Sequence, residues 1–434
     1  MKYYFISLGC AKNLVDSEKI SKILSKYGYI ITDRIEESNL ILINTCGFIK
    51  NAKQESIDTI LSVIQEKPKD SRVIVFGCLV QRYQKELRDL IPEVELFLPV
   101  LPYKKLAEKI RKSFSPIKVQ CTDASIKRIC FTPPSYTYIK VADGCNNRCS
   151  YCTIPLIRGP LKSIPVDEIL KDIKKALDNN VYEINLIAQD LTSYGKDLYR
   201  KPSLDMLLES ILKIKKDFWL RLLYLYPSGI TPRIINLIKS DQRILNYLDI
   251  PVQHVNNRIL RLMNRRYSKK LLLEKIHMLR EKIPDIVIRS TFIVGFPSER
   301  EEEFEELADF VKQVKFDHLG VFEYSEEEGT SAFSIKERIQ CSIKRRRKRT
   351  LMQIQQEIAK DKNKALIGRE FPCLIEMPVD EYGAVWSGRI YSQAPEVDGS
   401  VFVTGYQKNK GNLVNVLIKN FKYYDLLAEC KDAL

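Results

Sequence analysis

Short apolar runs alternate with segments of helical spacing over the first hundred residues. Tyr3–Leu8, Leu40–Ile43 and Val73–Phe76 are the apolar runs, and each has the composition of a buried β-strand. The segments of helical spacing between and after them are Ser17–Tyr27, Ala52–Gln65 and Gln81–Leu90. Strands that alternate with helices predict a parallel α/β sheet with right-handed crossovers.

A cysteine follows each of the three apolar runs. Cys10 comes after Gly9, Cys46 after Thr45, and Cys78 after Gly77. The carboxyl ends of parallel strands share one edge of a sheet, where ligands bind, so we expect the three thiols to face that edge together. The alternative is three small buried hydrophobic residues, because free cysteine is often buried.

A second strand–helix region extends from about residue 136 to 333. Its predicted strands are Tyr138–Val141, Glu183–Ile187, Leu220–Tyr226, Tyr247–Ile250, Val287–Val294 and His318–Tyr324. Six strand–helix steps predict an open (βα)6 partial TIM barrel, with its active site at the carboxyl ends of the strands. After the fifth strand, Ser298 is predicted to cap a helix, with Glu301 as its capping-box partner.

The last hundred residues have a different pattern, a long helix followed by several short strands. A helix is predicted from about residue 335, and it contains the basic run Lys344–Arg349, for which a solvated helix face is favoured over RNA contact. From about Gly368, short strands separated by turn residues predict a small β-barrel of OB-like size. The chain therefore divides into an N-terminal α/β domain (1–130), the partial barrel with its connecting helix (131–365) and the β-barrel (366–434).

Composition narrows the protein class. The 434 residues are 45% hydrophobic, which is ordinary for a globular chain, and the net charge of +15 favours acidic partners such as nucleic acid or the ribosome. No apolar stretch approaches the ~18 residues of a membrane helix, and the apolar run at the start is too short for a signal peptide. We therefore expect a cytoplasmic protein whose eleven cysteines stay reduced. A monomer is expected as its oligomeric state.

The strongest local pattern is a CxxxCxxC loop directly after the first barrel strand. Its cysteines are Cys145, Cys149 and Cys152. Three thiolates on one loop suit three irons of a 4Fe–4S cluster and leave the fourth iron open. Zinc fits less well, because its structural sites favour paired CxxC motifs with a fourth ligand nearby. The five remaining cysteines (Cys121, Cys130, Cys341, Cys373 and Cys430) show no such pattern and are interpreted as structural.

This loop on a barrel of this length resembles the radical S-adenosylmethionine superfamily. The resemblance implies that the open iron binds S-adenosylmethionine and that reductive cleavage yields a 5′-deoxyadenosyl radical. It also implies cofactor contacts at the aromatic residue before the last cysteine and at strand ends. These positions are Tyr151, Gln189, Asp190, Arg221, Ile293 and Gly295.

Further motifs resemble the methylthiotransferase family over essentially the whole chain. They are Ser7–Glu18, Asn44–Cys46, Gly77–Tyr83, Ile187–Asp190, Pro251–His254 and the cysteine loop. The resemblance implies that Cys10, Cys46 and Cys78 bind a second 4Fe–4S cluster and that the C-terminal barrel is a TRAM domain for substrate recognition. One departure is that Ser163 is followed by Ile164 and Pro165, where the family carries Ser-Arg after its Ile-Arg-Gly motif.

The implied chemistry is attachment of sulfur to an unactivated carbon, which needs radical chemistry from a cofactor. By the resemblance, one S-adenosylmethionine supplies the methyl group and a second supplies the radical that abstracts substrate hydrogen. An electron donor such as flavodoxin or ferredoxin is implied as a partner. No catalytic side chain is assigned beyond the six cluster cysteines.

Two branches of the family differ in substrate. One modifies adenosine in transfer RNA, and the other adds methylthio to the β-carbon of an aspartate in small-subunit ribosomal protein 12. Ser7–Glu18 and Gln393–Gly399 resemble the second branch. From residue 365 onward the chain has seven Lys and Arg against nine Asp and Glu, so this part carries −2 and the rest +17. A slightly acidic barrel suits a basic ribosomal protein better than RNA.

A function of another class is a non-enzymatic iron–sulfur or zinc protein that binds RNA through the β-barrel. It accounts for the charge and the cysteines. It does not account for an open coordination position on a barrel of catalytic type. The sequence therefore favours the enzyme.

Overall fold

The computed structural model describes residues 1–114, 131–407 and 412–431, and these form two compact units. The first unit contains Met1–Phe131, Asp143–Leu161 and Ser325–Phe333. The second contains Thr132–Ala142, Lys162–Tyr324 and Ser334–Leu434. The CxxxCxxC loop thus clusters with the N-terminal unit, which a domain limit at residue 130 does not anticipate. The limits at 130 and 365 stay predictions.

The first unit is built on a five-stranded parallel sheet. Its strands are β1 (Lys2–Ser7), β2 (Ile30–Thr32), β3 (Leu40–Thr45), β4 (Arg72–Gly77) and β5 (Leu96–Leu98), and their order is β2-β1-β3-β4-β5. The helices of this unit are α1 (Ala11–Lys26), α2 (Lys50–Glu66), α3 (Cys78–Leu90), α4 (Tyr103–Phe114) and α5 (Ile154–Arg158). The strand order reverses direction between β1 and β3, and ligands of such sheets bind beyond the carboxyl ends at that point.

Both faces of this sheet are covered. Leu40 and Leu42 point into one core with the buried side chains of α1 and α4, and Ile41 and Ile43 point into the other with those of α2 and α3. Successive side chains of a strand face opposite sides, so a strand buried on both faces is apolar throughout. This explains why β3 is a continuous apolar run.

The second unit contains an open, fully parallel six-stranded sheet. Its strands are β6 (Tyr136–Lys140), β9 (Glu183–Ile187), β10 (Trp219–Leu222), β11 (Ile244–Asp249), β12 (Val287–Val294) and β13 (His318–Glu323), in sequential spatial order. Two short strands, β7 (Ala142–Asp143) and β8 (Lys162–Ser163), flank the cysteine loop in sequence. The helices are α6 (Val166–Asp178), α7 (Lys196–Tyr199), α8 (Leu204–Leu212), α9 (Pro232–Ser240), α10 (Asn257–Leu262), α11 (Lys269–Lys282), α12 (Glu301–Val314) and α13 (Cys341–Lys364). The predicted (βα)6 partial barrel is confirmed.

A closed five-stranded barrel ends the second unit. Its strands are β14 (Glu370–Pro378), β15 (Val385–Ile390), β16 (Val401–Thr404), β17 (Leu413–Lys422) and β18 (Asp425–Cys430), in the order β14-β15-β16-β18-β17. Its core includes Cys373 and Cys430, which confirms their structural interpretation. Cys341 is exposed at the start of α13, so its structural interpretation has no support from burial, and Cys121 and Cys130 lie outside the described residues.

The start of α12 differs from the prediction. The helix begins at Glu301 with Arg300 as its N-cap, and Glu303 accepts a hydrogen bond from the Arg300 backbone N–H. Ser298 has a left-handed backbone (φ 64°) and its Oγ accepts from Arg258, so its predicted N-cap role is wrong. The helix starts later because Glu299 turns inward instead of continuing it. No helix among the described residues is long and apolar enough to cross a membrane.

Candidate active site

The three cysteines that follow β1, β3 and β4 lie together at the carboxyl edge of the first sheet. Cys10 is the N-cap residue of α1, and Cys78 is the first residue of α3. The Cys46 N–H donates to Ser56 Oγ (3.1 Å), whose hydroxyl donates back to the Cys46 carbonyl (2.9 Å). A helix N-terminus favours a thiolate, so two of the three sulfurs occupy positions suited to metal binding.

Polar side chains join the three strand ends beneath these cysteines. Asn13 donates to the carbonyls of Leu8 (3.0 Å) and Thr45 (3.1 Å). Asn44 donates to the Asn13 carbonyl (3.0 Å), and the Thr45 hydroxyl donates to the Phe76 carbonyl (2.7 Å). The cysteine positions are therefore fixed by hydrogen bonds between all three strand ends.

Glycine is required at position 9, where the end of β1 meets the end of β3. Gly9 has a φ of 89°, and a Cβ at this position would lie 2.6 Å from the Cys46 Cβ and 2.9 Å from its sulfur. Any other residue would push Cys46 away from Cys10. The Gly-Cys pair in the sequence thus has a steric cause.

Burial perturbs two of these thiols. It raises the pKa of Cys46 to about 12, with smaller contributions from the neighbouring Cys10 and Cys78. Burial also raises the pKa of Cys78, although the Arg158 guanidinium opposes it. Since a thiol binds metal as the thiolate, loading this site must release protons.

The CxxxCxxC loop is closed by its own flanks. The Cys145 N–H donates to the Gly159 carbonyl (3.2 Å), and the Cys152 N–H donates to the Cys149 carbonyl (3.1 Å). The Asn147 N–H reaches the Cys145 sulfur at 3.5 Å. All three cysteines are partly exposed, so the loop offers its sulfurs to a ligand.

Arg158 joins this loop to the three strand-end cysteines. It is the last residue of α5, six residues after Cys152, and its side chain is 5% exposed. Its Nη1 donates to Asp16 (2.6 Å), and its Nη2 donates to Asn13 Oδ1 (2.6 Å) and to the Cys78 sulfur (3.3 Å). Sequence reasoning missed this role, although a single arginine at the end of a short apolar helix beside the loop was a signal.

Glu327 holds a third segment against the same unit. It follows β13, its side chain is 1% exposed, and it accepts from Lys53 (2.9 Å) and Arg82 (2.5 Å). Nearby, the Ala332 N–H donates to the Ser150 carbonyl (2.8 Å) inside the cysteine loop. The 325–333 segment therefore braces the loop.

Two of the predicted cofactor residues, Asp190 and Arg221, make hydrogen bonds within the protein. Asp190 accepts from the Thr192 N–H (3.0 Å) and from the hydroxyls of Thr192 (2.6 Å) and Ser193 (2.7 Å), so it caps the turn after β9. Arg221 is fully buried in β10 and donates to Glu183 (2.7 Å) and to the Tyr391 carbonyl (2.7 Å). Arg221 thus connects β10 to β9 and to the residue after β15, and the cofactor roles of Asp190 and Arg221 stay predictions.

Ile293 and Gly295 lie at the carboxyl end of β12, where a cofactor contact is predicted. The Ile293 N–H donates to the Gln253 carbonyl (2.8 Å). The Glu299 carboxylate accepts from the N–H groups of Gly295 and Phe296 (3.0 Å for Phe296). Glu299 therefore fixes the turn that follows the strand. Tyr151 and Gln189 lie at the predicted positions in the cysteine loop and after β9.

The basic run on α13 supports this turn. Arg347 is buried with Nη1 3.3 Å from Glu299 Oε2, and Lys344 is buried with Nζ donating to the Tyr324 carbonyl (3.2 Å). Arg345, Lys348 and Arg349 are exposed. The solvated-face prediction is correct for these exposed residues and wrong for Lys344 and Arg347, which attach α13 to β12 and β13.

The segment Gln393–Gly399 is buried at its start and exposes Glu396 and Val397. Gln393 and Ala394 are buried, and Asp398 accepts from Tyr247 Oη (2.6 Å) and lies 3.3 Å from His318 Nδ1. Tyr247 and His318 belong to β11 and β13, so this segment packs on the partial barrel. Asp398 and the half-buried Glu376 are paired internally, and the slightly acidic charge count therefore overstates the acidity of the barrel surface.

The cysteine donor sets fit iron–sulfur clusters. Each set has three thiols, and three cysteines suit three irons of a cubane cluster. Within residues 1–114, 131–407 and 412–431, no group of three His, Cys, Asp or Glu residues has the spacing to hold a metal ion. The ligands of one zinc ion must lie within about 4 Å of one another. The cysteine ligands of a cubane bind separate irons, so their sulfurs lie farther apart.

Family models match three parts of the chain. They are UPF0004, described as an uncharacterized protein family (residues 2–99), the radical SAM superfamily (139–311) and the TRAM domain (367–430). Among solved structures, the radical S-adenosylmethionine methyltransferase TsrM from Kitasatospora setae, with cobalamin and a [4Fe-4S] cluster bound, is similar in fold. Its TM-score is 0.55 at 12% identity, covering 76% of each chain.

Curated relatives are similar over almost the entire length. Proteins from Thermodesulfovibrio yellowstonii (46% identical, 97% of each chain) and Carboxydothermus hydrogenoformans (44% identical, 99% of each chain) are both named ribosomal protein uS12 methylthiotransferase RimO. With these identities and the three matching domains, the chain belongs to the RimO methylthiotransferase family of the radical SAM superfamily.

Proposed function

We propose that this protein attaches a methylthio group to the β-carbon of an aspartate in ribosomal protein uS12. The observation that carries the proposal is the pair of cysteine triplets in one compact unit, joined by Arg158 between Asp16 and Cys78. Relatives with the same architecture are named for this reaction and this substrate. A single metal-binding loop would account for radical formation alone.

Membership of this family implies S-adenosylmethionine and 4Fe–4S clusters as cofactors. In our proposal, Cys145, Cys149 and Cys152 hold the cluster that binds S-adenosylmethionine, and the strand-end cysteines hold the second. When bound, these groups supply a carbon-centred radical and a sulfur that can be methylated, which no side chain can supply.

The residues of the chain bind and orient these groups. The Gly159 carbonyl and the brace at Ser150 fix the backbone of the loop, and the Asn147 N–H stabilises negative charge on the Cys145 sulfur. At the other triplet, Asn13 fixes the strand ends. Holding both donor sets in one unit places them in a constant relation, which a transfer between two clusters requires.

Cofactor contacts are proposed at Tyr151, Gln189, Ile293 and Gly295. Tyr151 is adjacent to Cys152, and the other three lie at carboxyl ends of barrel strands, where barrel enzymes bind their substrates. An electron donor of the flavodoxin or ferredoxin class is proposed to reduce the cluster, and the protein is proposed to act as a monomer in the cytoplasm.

Removing the Glu299 carboxylate is expected to weaken S-adenosylmethionine binding at least tenfold. Two backbone N–H groups lose their acceptor at a cost of about 1–3 kcal/mol each, and about 1.4 kcal/mol of that cost at the cofactor site is enough for a tenfold change. Equilibrium dialysis with cluster-loaded protein measures the Kd of Glu299→Ala. Glu299→Gln keeps an acceptor oxygen and is expected to bind more tightly than Glu299→Ala. The exposed Glu302→Ala serves as the matched control, and equal Kd values for all of these proteins would contradict the role of Glu299.

The proposed function is tested with anaerobically reconstituted protein, reductant, S-adenosylmethionine and purified uS12. The expected product is uS12 with one hydrogen of a single aspartate replaced by methylthio, located by tandem mass spectrometry. A uS12 variant with asparagine at that position is the control and stays unmodified.

Transfer RNA is offered to the same protein in a parallel reaction. A methylthio group on adenosine with none on uS12 would assign the substrate to the other branch of the family. Absence of 5′-deoxyadenosine in every reaction would overturn the enzymatic assignment and favour a non-enzymatic metal protein.

A further inference from the structure

We propose that Arg158 is a positioning residue that sets the reduction potential of the cluster held by Cys10, Cys46 and Cys78. The inference rests on the proposed cluster assignment and goes beyond it, because Arg158 is not itself a ligand. Arg158 follows the CxxxCxxC loop in the sequence. Its guanidinium nevertheless contacts the sulfur of Cys78, which is a proposed ligand of the other cluster.

The first step is the contact itself. Arg158 Nη2 lies 3.3 Å from the Cys78 sulfur and 2.6 Å from Asn13 Oδ1. A charged N–H donor on a ligand sulfur withdraws electron density from it, and hydrogen bonds to sulfur together with net charge set the potential of an iron–sulfur cluster. Arg158 therefore favours the reduced state of whatever cluster Cys78 holds.

The second step is that the guanidinium has little freedom to leave. Its Nη1 donates to Asp16 (2.6 Å), and Asp16 in turn accepts from Tyr103 Oη (2.7 Å). Both charged side chains are less than one-tenth exposed, so water screens the pair weakly. Arginine suits this position because its planar fork offers two nitrogens to different acceptors, which lysine cannot do.

The third step is that a second carboxylate moderates the charge. Asp143 lies 3.3 Å from Arg158 Nη1, and its side chain is 31% exposed. It precedes the cysteine loop, and its Oδ1 also accepts from the Gly144 N–H (3.0 Å). The charge near Cys78 is thus one guanidinium against two carboxylates, so removing Arg158 and neutralising Asp143 should have opposite effects.

The test is an EPR-monitored redox titration of the reconstituted full-length protein, with and without S-adenosylmethionine. The signal that S-adenosylmethionine alters belongs to the CxxxCxxC cluster, and the unaltered signal belongs to the second cluster. Arg158→Gln is expected to lower the midpoint potential of the second cluster, Arg158→Lys to lower it less, and Asp143→Asn to raise it. Arg88→Gln, on the exposed side of the helix that Cys78 begins, is the matched control and should leave both potentials unchanged.

Opposite shifts for Arg158→Gln and Asp143→Asn would support the proposal, because loosened packing alone has no reason to change sign with charge. If Arg158→Gln loses the second cluster, the shifts are read from Arg158→Lys and Asp143→Asn, which must still be opposite in sign. The proposal is overturned if the midpoint potential of the second cluster is the same in all variants, or if it moves in the same direction in Arg158→Gln and Asp143→Asn. A wild-type protein that binds one cluster would remove the cluster assignment itself, which iron analysis before the titration distinguishes from a failure of Arg158.

Discussion

Replacing Cys10, Cys46 and Cys78 together by alanine is expected to abolish methylthio transfer while 5′-deoxyadenosine formation continues. The iron content should fall from about eight to about four per chain, because one cubane is lost and the other is retained. The CxxxCxxC loop keeps its own closing bonds to Gly159 and between Cys149 and Cys152, none of which involves the removed thiols. Quantitative iron analysis and chromatography of the nucleoside product measure both effects.

The complementary variant replaces Cys145, Cys149 and Cys152 by alanine. It should also retain about four irons but form no 5′-deoxyadenosine, since the site of S-adenosylmethionine cleavage is gone. Cys341→Ala is the control, because Cys341 is exposed and lies in the second unit. If the first triple variant still modified uS12, the second cluster would not be the source of the transferred group.

The strand-end cysteines show what a sequence can predict about such a site. The periodicity of the amino-acid sequence is enough to bring Cys10, Cys46 and Cys78 together, because it fixes where β1, β3 and β4 end and parallel strands end at one edge. The six barrel strands follow from the same periodicity. The short edge strands β2 and β5 escape it, because strands of three residues have no distinctive pattern.

The contacts of Arg158 could not be predicted in this way. Its partners Asn13 and Asp16 lie more than 140 positions away in the sequence. Periodicity determines which face of an element is buried, but it does not pair polar groups across distant segments. Arg158 and Asn13 therefore become identifiable only when the loop and the sheet edge are seen together.

The net charge counted from the sequence misrepresents the surface of the C-terminal barrel, because a sequence does not show which charged groups are paired. Asp398 counts as surface charge in the sequence, yet its side chain is 2% exposed and lies 3.4 Å from Arg289 Nε. A net charge assumes solvated groups, whereas a buried pair contributes nothing to the outer field. The substrate assignment therefore depends on the relatives more than on the charge of this barrel.

Replacing Arg389 by leucine is expected to destabilise the second unit by about 3–5 kcal/mol, because it removes one partner from a buried ionic network. Arg389 Nη2 lies 2.6 Å from Glu183 Oε2 and 2.7 Å from Glu376 Oε1, and Arg221 Nε lies 2.7 Å from Glu183 Oε1. Without Arg389, two carboxylates face one guanidinium in the interior. The exposed Lys422→Leu in the same barrel is the control and should change the free energy of unfolding by no more than about 0.5 kcal/mol.

Tryptophan fluorescence during denaturant unfolding isolates this effect, because Trp219 in β10 and Trp386 in β15 are the two tryptophans of the chain and both lie in the second unit.

The loss of stability in Arg389→Leu should also depend on pH. Burial raises the pKa of Glu376 and Arg389 opposes that rise, whereas Arg221 and Arg389 together outweigh burial and lower the pKa of Glu183. Without Arg389 the pKa of both carboxyls is higher in the folded state than it is in the wild type, so the stability of Arg389→Leu should fall relative to wild type as pH rises above the ordinary glutamate range. A deficit that is constant from pH 5 to pH 8 would mean that neither carboxylate depends on Arg389 for its charge.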